Sequence, residues 1–360
     1  MGMHSAKEKV YAVANAVKPL DATLAARAKA HLDNLTKPPG SLGRLEDAAA
    51  RLYAVQGGKA PVVDPALVVT IAGDHGVTAE GISYSNPIVT RQQVCNFLNG
   101  GGCISVMCRA SGVRHLVVDA GVAGGAFEDH PLLVRNKIAS GTANMAHGPA
   151  MSEEECLAAL LLGIDLAERA EKEGVRCIGT GEMGIGNTTP STALFSVFLG
   201  LDPADIAGPG AGVPPVGMEG KIAVIKKALA VNAAAVAGGD PLGVLAALGG
   251  LEIAALAGLV LGGAARGIPV VVDGFISTAA YVAARAFAPA VAGRCFFAHA
   301  SAEPGFALIM ASLGEKPLLD LAMRLGEGTG AALGMVLLRN AAAVFNEVAT
   351  FSSAGVTTDG

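Results

Sequence analysis

Tryptophan is absent from this 360-residue chain, aromatic residues make up only 4% of it and charged residues only 16%. So few aromatics argue against aromatic-rich sheets or interfaces, and the dominance of Ala and Gly favours helices that pack closely. Lys and Arg are scattered and the net charge is −5, so no basic stripe exists to displace counterions from a phosphate backbone, which excludes nucleic acid as a partner. Cys95, Cys103, Cys108, Cys156, Cys177 and Cys295 include no C-x-x-C pair and lie mostly in apolar surroundings. That excludes a disulfide framework and a zinc site and reads as reduced core thiols. Met1 to Val10 is charged and has no apolar stretch before a small-residue cleavage site, so no secretory signal is expected and the cytoplasm follows.

What the chain has is bulk and apolar content. Its 52% hydrophobic residues can bury a large core, and its length exceeds the ~250–300 residues at which one core stops growing, so two unequal units are expected. The best membrane candidate runs from Pro241 to Ala265, but it carries two Gly pairs, the carboxylate of Glu252 and no aromatic belt. A mid-span carboxylate costs ~2.5 kcal/mol or more in lipid, so buried soluble helices are expected there and no membrane span.

Apolar positions recur at helical spacing from Asp21 to Leu35 and from Leu42 to Val55, parted by Lys37-Pro-Pro-Gly40. Ala66 to Ala72 is a near-continuous apolar run ending at Gly73-Asp-His-Gly76, the pattern of a strand buried on both faces. His115 to Asp119, Val175 to Thr180, Pro269 to Asp273 and Arg294 to Ala298 read as further strands. Helices are expected at Val89–Leu98, Ser152–Lys172, Pro190–Leu199, Glu219–Val236, Ser277–Phe287 and Thr329–Val348. This alternation predicts an α/β fold, a parallel sheet with helices on both faces, whose ligands bind beyond the carboxyl ends of the strands.

Gly179-Thr-Gly-Glu-Met-Gly184 matches G-x-G-x-x-G after an expected strand, so a nicotinamide-dinucleotide-dependent oxidoreductase is a live reading. The helix starts late, after Ile185-Gly-Asn-Thr-Thr-Pro190, with a Thr cap and Pro at its first position expected, and no second strand ending in an acid follows. A glycine loop feeding a helix still suits an anion, which favours a monophosphate over a dinucleotide, and glycines that merely turn the chain are the plainest reading. Arg324-Leu-Gly-Glu327-Gly-Thr-Gly330 sets a carboxylate between glycines before the last helix. Glu327 is then either a first-turn acid favoured by the helix dipole or a catalytic base beside an anion-gripping Arg324. Asp74, His75, Asp119, Asp273 and His299 each follow or end a strand, and no pair has metal-ligand spacing. From the residues alone the chain is an α/β enzyme for a small phosphorylated ligand.

Five ordered motifs occur together: Leu35-Thr-Lys-Pro-Pro-Gly-Ser-Leu-Gly-Arg44, Ala72-Gly-Asp-His-Gly-Val77, Gly181-Glu-Met-Gly-Ile-Gly-Asn-Thr-Thr189, Val272-Asp-Gly-Phe275 and Arg324-Leu-Gly-Glu-Gly-Thr-Gly330. With Asn96-Phe-Leu-Asn-Gly100, Gly141-Thr-Ala-Asn-Met145 and Gly249-Gly-Leu-Glu252 they make the chain resemble, from about Leu32 to Val356, the nicotinate-nucleotide:dimethylbenzimidazole phosphoribosyltransferases. That resemblance implies a large Rossmann-like domain at 61–324 and a small helical domain built from both chain ends, 1–60 and 325–360, usually in a homodimer. It implies transfer of the phosphoribosyl group of nicotinate mononucleotide to a benzimidazole for the lower ligand of cobalamin, with no cofactor and no metal. Glu327 would be the general base and Glu182 would lie near the reacting ribose. Gly184, Gly186, Asn187, Lys221, Ser301 and Arg324 would hold ribose and phosphate, and Ser85 and Gln93 would wall the base pocket. The chain departs from the family pattern at Gly208-Pro-Gly-Ala-Gly-Val-Pro214, where an Arg and a Thr are more usual, and at Phe306, where a His is usual. Those departures motivate a further alternative, a catalytically silent nucleotide-binding relative.

Overall fold

The computed structural model describes residues 2–210, 212 and 215–357. Helices α1 (Met3–Ala16), α2 (Ala22–Asp33) and α3 (Arg44–Val55) precede strand β1 (Ala66–Gly73). A 3-10 turn at Gly76–Glu80 leads to α4 (Ile88–Leu98), α5 (Cys103–Ser111), β2 (Arg114–Gly121) and β3 (Leu133–Arg135). Helix α6 (Glu153–Lys172) crosses to β4 (Cys177–Met183), followed by α7 (Thr188–Leu199), α8 (Pro203–Ile206), α9 (Pro215–Val231), α10 (Ala233–Gly238), α11 (Pro241–Leu248) and α12 (Leu251–Ala265). Then come β5 (Val270–Val272), α13 (Phe275–Phe287), a 3-10 turn at Pro289–Arg294, β6 (Cys295–Phe297), α14 (Phe306–Leu313), α15 (Thr329–Glu347) and α16 (Phe351–Ala354).

The strands form one six-stranded sheet in the order β3-β2-β1-β4-β5-β6, and every pairing is parallel. β1 is buried along its whole length, as its unbroken apolar run requires for a strand covered on both faces. The chain moves outward from β1 to β2 and β3, then returns to β4 on the other side of β1, so the strand order reverses between β1 and β4. At such a reversal the loops leaving neighbouring strands part and open a crevice beyond their carboxyl ends.

Small residues let the covering layers approach closely. A Cβ on Gly163 of α6 would stand 1.8 Å from the Ala255 carbonyl oxygen, and one on Gly258 of α12 would stand 2.0 Å from that of Leu160, so these helices touch backbone to backbone. α12 is buried on all sides except at its very end, and α1 packs on α6 and α12 through Ala6, Val10 and Ala14. On the opposite face Ala331, Ala332, Met335 and Leu338 of α15 pack with Val68, Val271 and Ala298 of the sheet. α2 packs on α3 and α3 on α15. The two ends of the chain are tied where Thr36 N–H donates to the Ala349 carbonyl (2.9 Å) and Phe351 N–H to that of Asn34 (3.1 Å).

Several expectations are corrected. β4 runs from Cys177 to Met183, so Gly179 and Gly181 lie inside the strand and not in a loop after it. α7 begins at Thr188, which makes Pro190 its third residue, and the Thr189 hydroxyl caps nothing. The expected helix Glu219–Val236 is broken between α9 and α10 at Asn232, whose Nδ2 donates to the Met145 and Ala228 carbonyls, each at 2.9 Å. The stretch 241–265 breaks at Gly249 and Gly250 into α11 and α12, and among the described residues no helix is long and apolar enough to cross a membrane. β3, α1, α5 and α14 went unforeseen.

Candidate active site

A cavity of about 380 Å³ lies beyond the carboxyl ends of the strands near the β1/β4 reversal. Of the residues singled out in the sequence, Ser85, Gln93, Glu182, Gly184, Asn187, Ser301, Arg324 and Glu327 line it. Gly186 and Lys221 stand behind the wall. Gly186 takes a left-handed turn (φ 90°) against Thr78, and Lys221 donates to the Thr188 hydroxyl and the Gly208 carbonyl, each at 2.7 Å.

Glu327 is buried and its backbone is left-handed (φ 65°), a conformation costing a non-glycine residue ~1 kcal/mol or more unless its surroundings impose it. Gln93 Nε2 donates to its Oε1 at 2.8 Å and the Ile104 N–H to its Oε2 at 3.4 Å. The Thr70 hydroxyl donates to its carbonyl at 2.8 Å, and the next N–H, of Gly328, donates to Asp273 Oδ2 at 3.0 Å. Asp273 also accepts from Ala331 N–H at 3.0 Å, so it closes the amino end of α15. Both side-chain oxygens of Glu327 accept, an arrangement that suits the ionised carboxylate, whereas burial, the larger influence, raises its pKa above the ordinary carboxylate range.

The glycines beside this carboxylate are spatial necessities. A Cβ on Gly181 would stand 2.3 Å from the Glu327 carbonyl oxygen, and one on Gly179 would crowd Met335 and Ala331. The first glycines of the dinucleotide-like motif therefore serve the approach of α15 and not a pyrophosphate, which overturns the oxidoreductase reading. Gly326 packs against Glu182 as closely, its absent Cβ 2.2 Å from Oε1. Glu182 is the last residue but one of β4, where burial, reinforced by the charges of Asp273, Glu252 and Glu327, pushes its pKa up to about 8, and Asn187 Nδ2 donates to its Oε2 at 2.5 Å.

The far wall is built from the β6 end and the 208–210 turn. Glu303, missed in the sequence, lines the cavity, and burial pushes its carboxyl up, with Lys221 opposing. Its signal was its place after a strand end, two residues beyond Ser301. Lys221 is fully buried, which pushes its ammonium down to about 8 against the pull of Glu303. His299 also lines the cavity, and Gly274, Phe275 and Ile276 bring the start of α13 to it. Of the departures from the family pattern, Phe306 is a core residue outside the cavity wall and Gly210 lines it, while Ala211, Val213 and Pro214 lie outside the described residues.

A family model described as Phosphoribosyltransferase matches residues 17–356. The chain is 61% identical to the nicotinate-nucleotide–dimethylbenzimidazole phosphoribosyltransferase of Solidesulfovibrio magneticus, over 95% of this chain and 96% of that protein. It belongs to this phosphoribosyltransferase family. Its identity to the enzyme of the same name from Chlorobaculum tepidum is 50%, over 94% of this chain and 96% of that one. Among solved structures it is similar to CobT from Thermus thermophilus, at 44% identity and a TM-score of 0.88, covering 93% of this chain and 99% of that chain. As a phosphoribosyltransferase, the chain carries the Rossmann-like parallel sheet of those structures, and the cavity at its strand ends is where the transfer chemistry has to be sought.

Proposed function

We propose that this enzyme transfers the phosphoribosyl group of nicotinate mononucleotide to 5,6-dimethylbenzimidazole or a related azole, releasing nicotinate, with Glu327 as general base. The observation that carries the reading is the Glu327 carboxylate, whose two oxygens accept from Gln93 and Ile104 at the wall of a cavity that Arg324 and Ser301 also line.

An azole nitrogen forms a bond to C1′ as the bond from C1′ to the pyridinium nitrogen breaks. The pair of electrons returns to the pyridinium ring, so nicotinate leaves without needing a proton. The azole becomes cationic and its second N–H acidic. Glu327 accepts that proton, which requires it to reach within ~2.6–3.2 Å of the nitrogen. Its negative charge also favours the developing cation before the proton moves. Arg324, Ser301 and the turn at Gly184 and Asn187 hold the sugar phosphate, with Lys221 stiffening that wall from behind through Thr188 and Gly208. Glu182, neutral below about pH 8, faces the ribose without repelling the phosphate. Ser85 and Gln93 flank the azole. No cofactor or metal enters any step.

Segments 1–60, 61–324 and 325–360 are taken as the units of this enzyme, with α1 belonging on its packing to the large one. A cytoplasmic homodimer is its working form, a reading supported by exposed Tyr84, Ile88 and Leu325 beside the cavity wall. The deciding experiment incubates the protein with nicotinate mononucleotide and dimethylbenzimidazole and follows free nicotinate. Turnover is expected, and Glu327→Gln should lower it ~100-fold or more. No release of nicotinate by the wild type would sink the function, and full turnover by the variant would sink the role of Glu327.

A further inference from the structure

We infer that Thr70 and His115 form a positioning chain that fixes the peptide following Glu327 and thereby aims its carboxylate into the cavity. The inference rests on the reading of Glu327 as the base. Neither residue lines the cavity, so neither touches substrate.

Thr70 is fully buried in β1, and its hydroxyl lies 2.8 Å from the Glu327 carbonyl oxygen and 3.0 Å from His115 Nε2. A carbonyl only accepts, so the single hydroxyl proton goes to Glu327. The hydroxyl oxygen must then accept from His115, which places the imidazole proton on Nε2 and leaves Nδ1 bare. Nδ1 is buried with no partner among the described residues, as suits a ring that is neutral. Burial reinforces this by holding the His115 pKa down to about 4, and the edge of Phe97 packs near the ring. The histidine is thus a fixed donor throughout the neutral range.

The chain closes one end of a peptide unit whose other end is closed by Asp273. The Glu327 carbonyl is held by Thr70 and the Gly328 N–H by Asp273 Oδ2 at 3.0 Å. With both ends pinned, the peptide plane cannot rotate back toward the backbone conformation that Glu327 would otherwise prefer. Gly181 leaves the space in which this happens, because a Cβ there would meet both the Glu327 carbonyl (2.3 Å) and the Thr70 hydroxyl (2.8 Å). A bare structural role, satisfying one buried carbonyl, would be felt in stability. A positioning role is felt in kcat.

Thr70→Val keeps shape and removes the hydroxyl, and Thr70→Ser restores it. The expected result is a fall of about tenfold or more in kcat for Thr70→Val, with KM for both substrates nearly unchanged, since small misplacements of a catalytic group cost rate. Thr70→Ser should regain most of that loss. His115→Leu should behave like Thr70→Val and His115→Gln, which can present an amide N–H, should recover part, so this pair decides the matter if Thr70→Val does not fold. In a Glu327→Gln background Thr70→Val should add little, because the chain acts through the carboxylate. Wild-type kcat in Thr70→Val, or losses that simply multiply in the double variant, would overturn the proposal. A Glu327→Gln variant with full turnover would instead remove its premise and is scored separately.

Discussion

Gln93 Nε2 donates to Glu327 Oε1 at 2.8 Å, so the side chain expected to wall the azole pocket also holds the carboxylate proposed as the base. On the proposed roles, recognition of the acceptor and its activation are coupled through one amide.

With Glu327 as the base, that contact opposes the effect of burial on the acid side of the pH profile. The base must be ionised, and burial already raises its pKa. Gln93→Glu replaces a neutral donor by a second carboxyl, and two carboxylates this close resist double ionisation, so the acid limb of kcat/KM should move up by about one pH unit or more. A pH-rate series on both proteins measures it, and a limb that stays put would show that Gln93 does not bear on the base.

Glu182 gives the fold a pH dependence of its own. Its pKa is about 8 in the folded chain against an ordinary 4.5, so the folded state holds the extra proton between those values. Its contribution to stability is fully present below pH 4.5 and is lost as pH rises toward 8, since ∂ΔG/∂pH is negative where the native state binds more protons. Melting temperature should therefore slope downward across that window, and Glu182→Gln, which can still accept from Asn187, should flatten the slope by a few degrees. Parallel slopes for the two proteins would count against the buried-acid description.

A methyl group at position 181 tests the crowding around the base. Gly181→Ala would place a Cβ 2.3 Å from the Glu327 carbonyl oxygen, which is backbone and cannot swing away. The cost should be about 1–3 kcal/mol in denaturant unfolding, with turnover falling further than the residual stability explains. Gly148→Ala, which meets nothing within 4 Å, should stay within about 0.5 kcal/mol of wild type. Equal behaviour of the two would refute the close approach.

Lys221 should matter to the nucleotide and not to the azole. Lys221→Met breaks the ties to Thr188 and Gly208 and is expected to raise KM for the mononucleotide about tenfold or more, the scale of one charge-assisted hydrogen bond, with the acceptor's KM unmoved. Burial pushes the wild-type ammonium down to about 8, so the mononucleotide's KM should climb above that pH more steeply than in the variant, where only Glu182 still ionises there. Initial rates at pH 7 and pH 9 suffice to see it.

The sheet was largely readable because β1 is an apolar run buried on both faces and the other principal strands carry shorter apolar runs, a pattern with few alternatives. β3 was not, because its three partly exposed residues owe their conformation to the neighbouring β2 and not to any periodicity of their own. α1 carries Ala6, Val10 and Ala14 at helical spacing, but two of the three are alanines among charged neighbours, a stripe too narrow and small to mark a helix by itself. Within the site, Glu327 announced itself by its flanking glycines. The role of Gly179 and Gly181 could not be read, since it depends on a helix that arrives from far along the chain. Glu303 needed only the strand-end rule applied once more, and the double duty of Gln93 needed the distance.

α15 covers Val68, Val271 and Ala298 and carries Glu327 immediately ahead of it. Once β6 has been made all six strands are present, yet the part of the sheet beside the one that α4 and α5 cover is still bare, and the proposed base is missing. The stretch from Glu327 through α15 supplies both at once. A chain cut short anywhere upstream of it therefore lacks both the cover over Val68, Val271 and Ala298 and the proposed base.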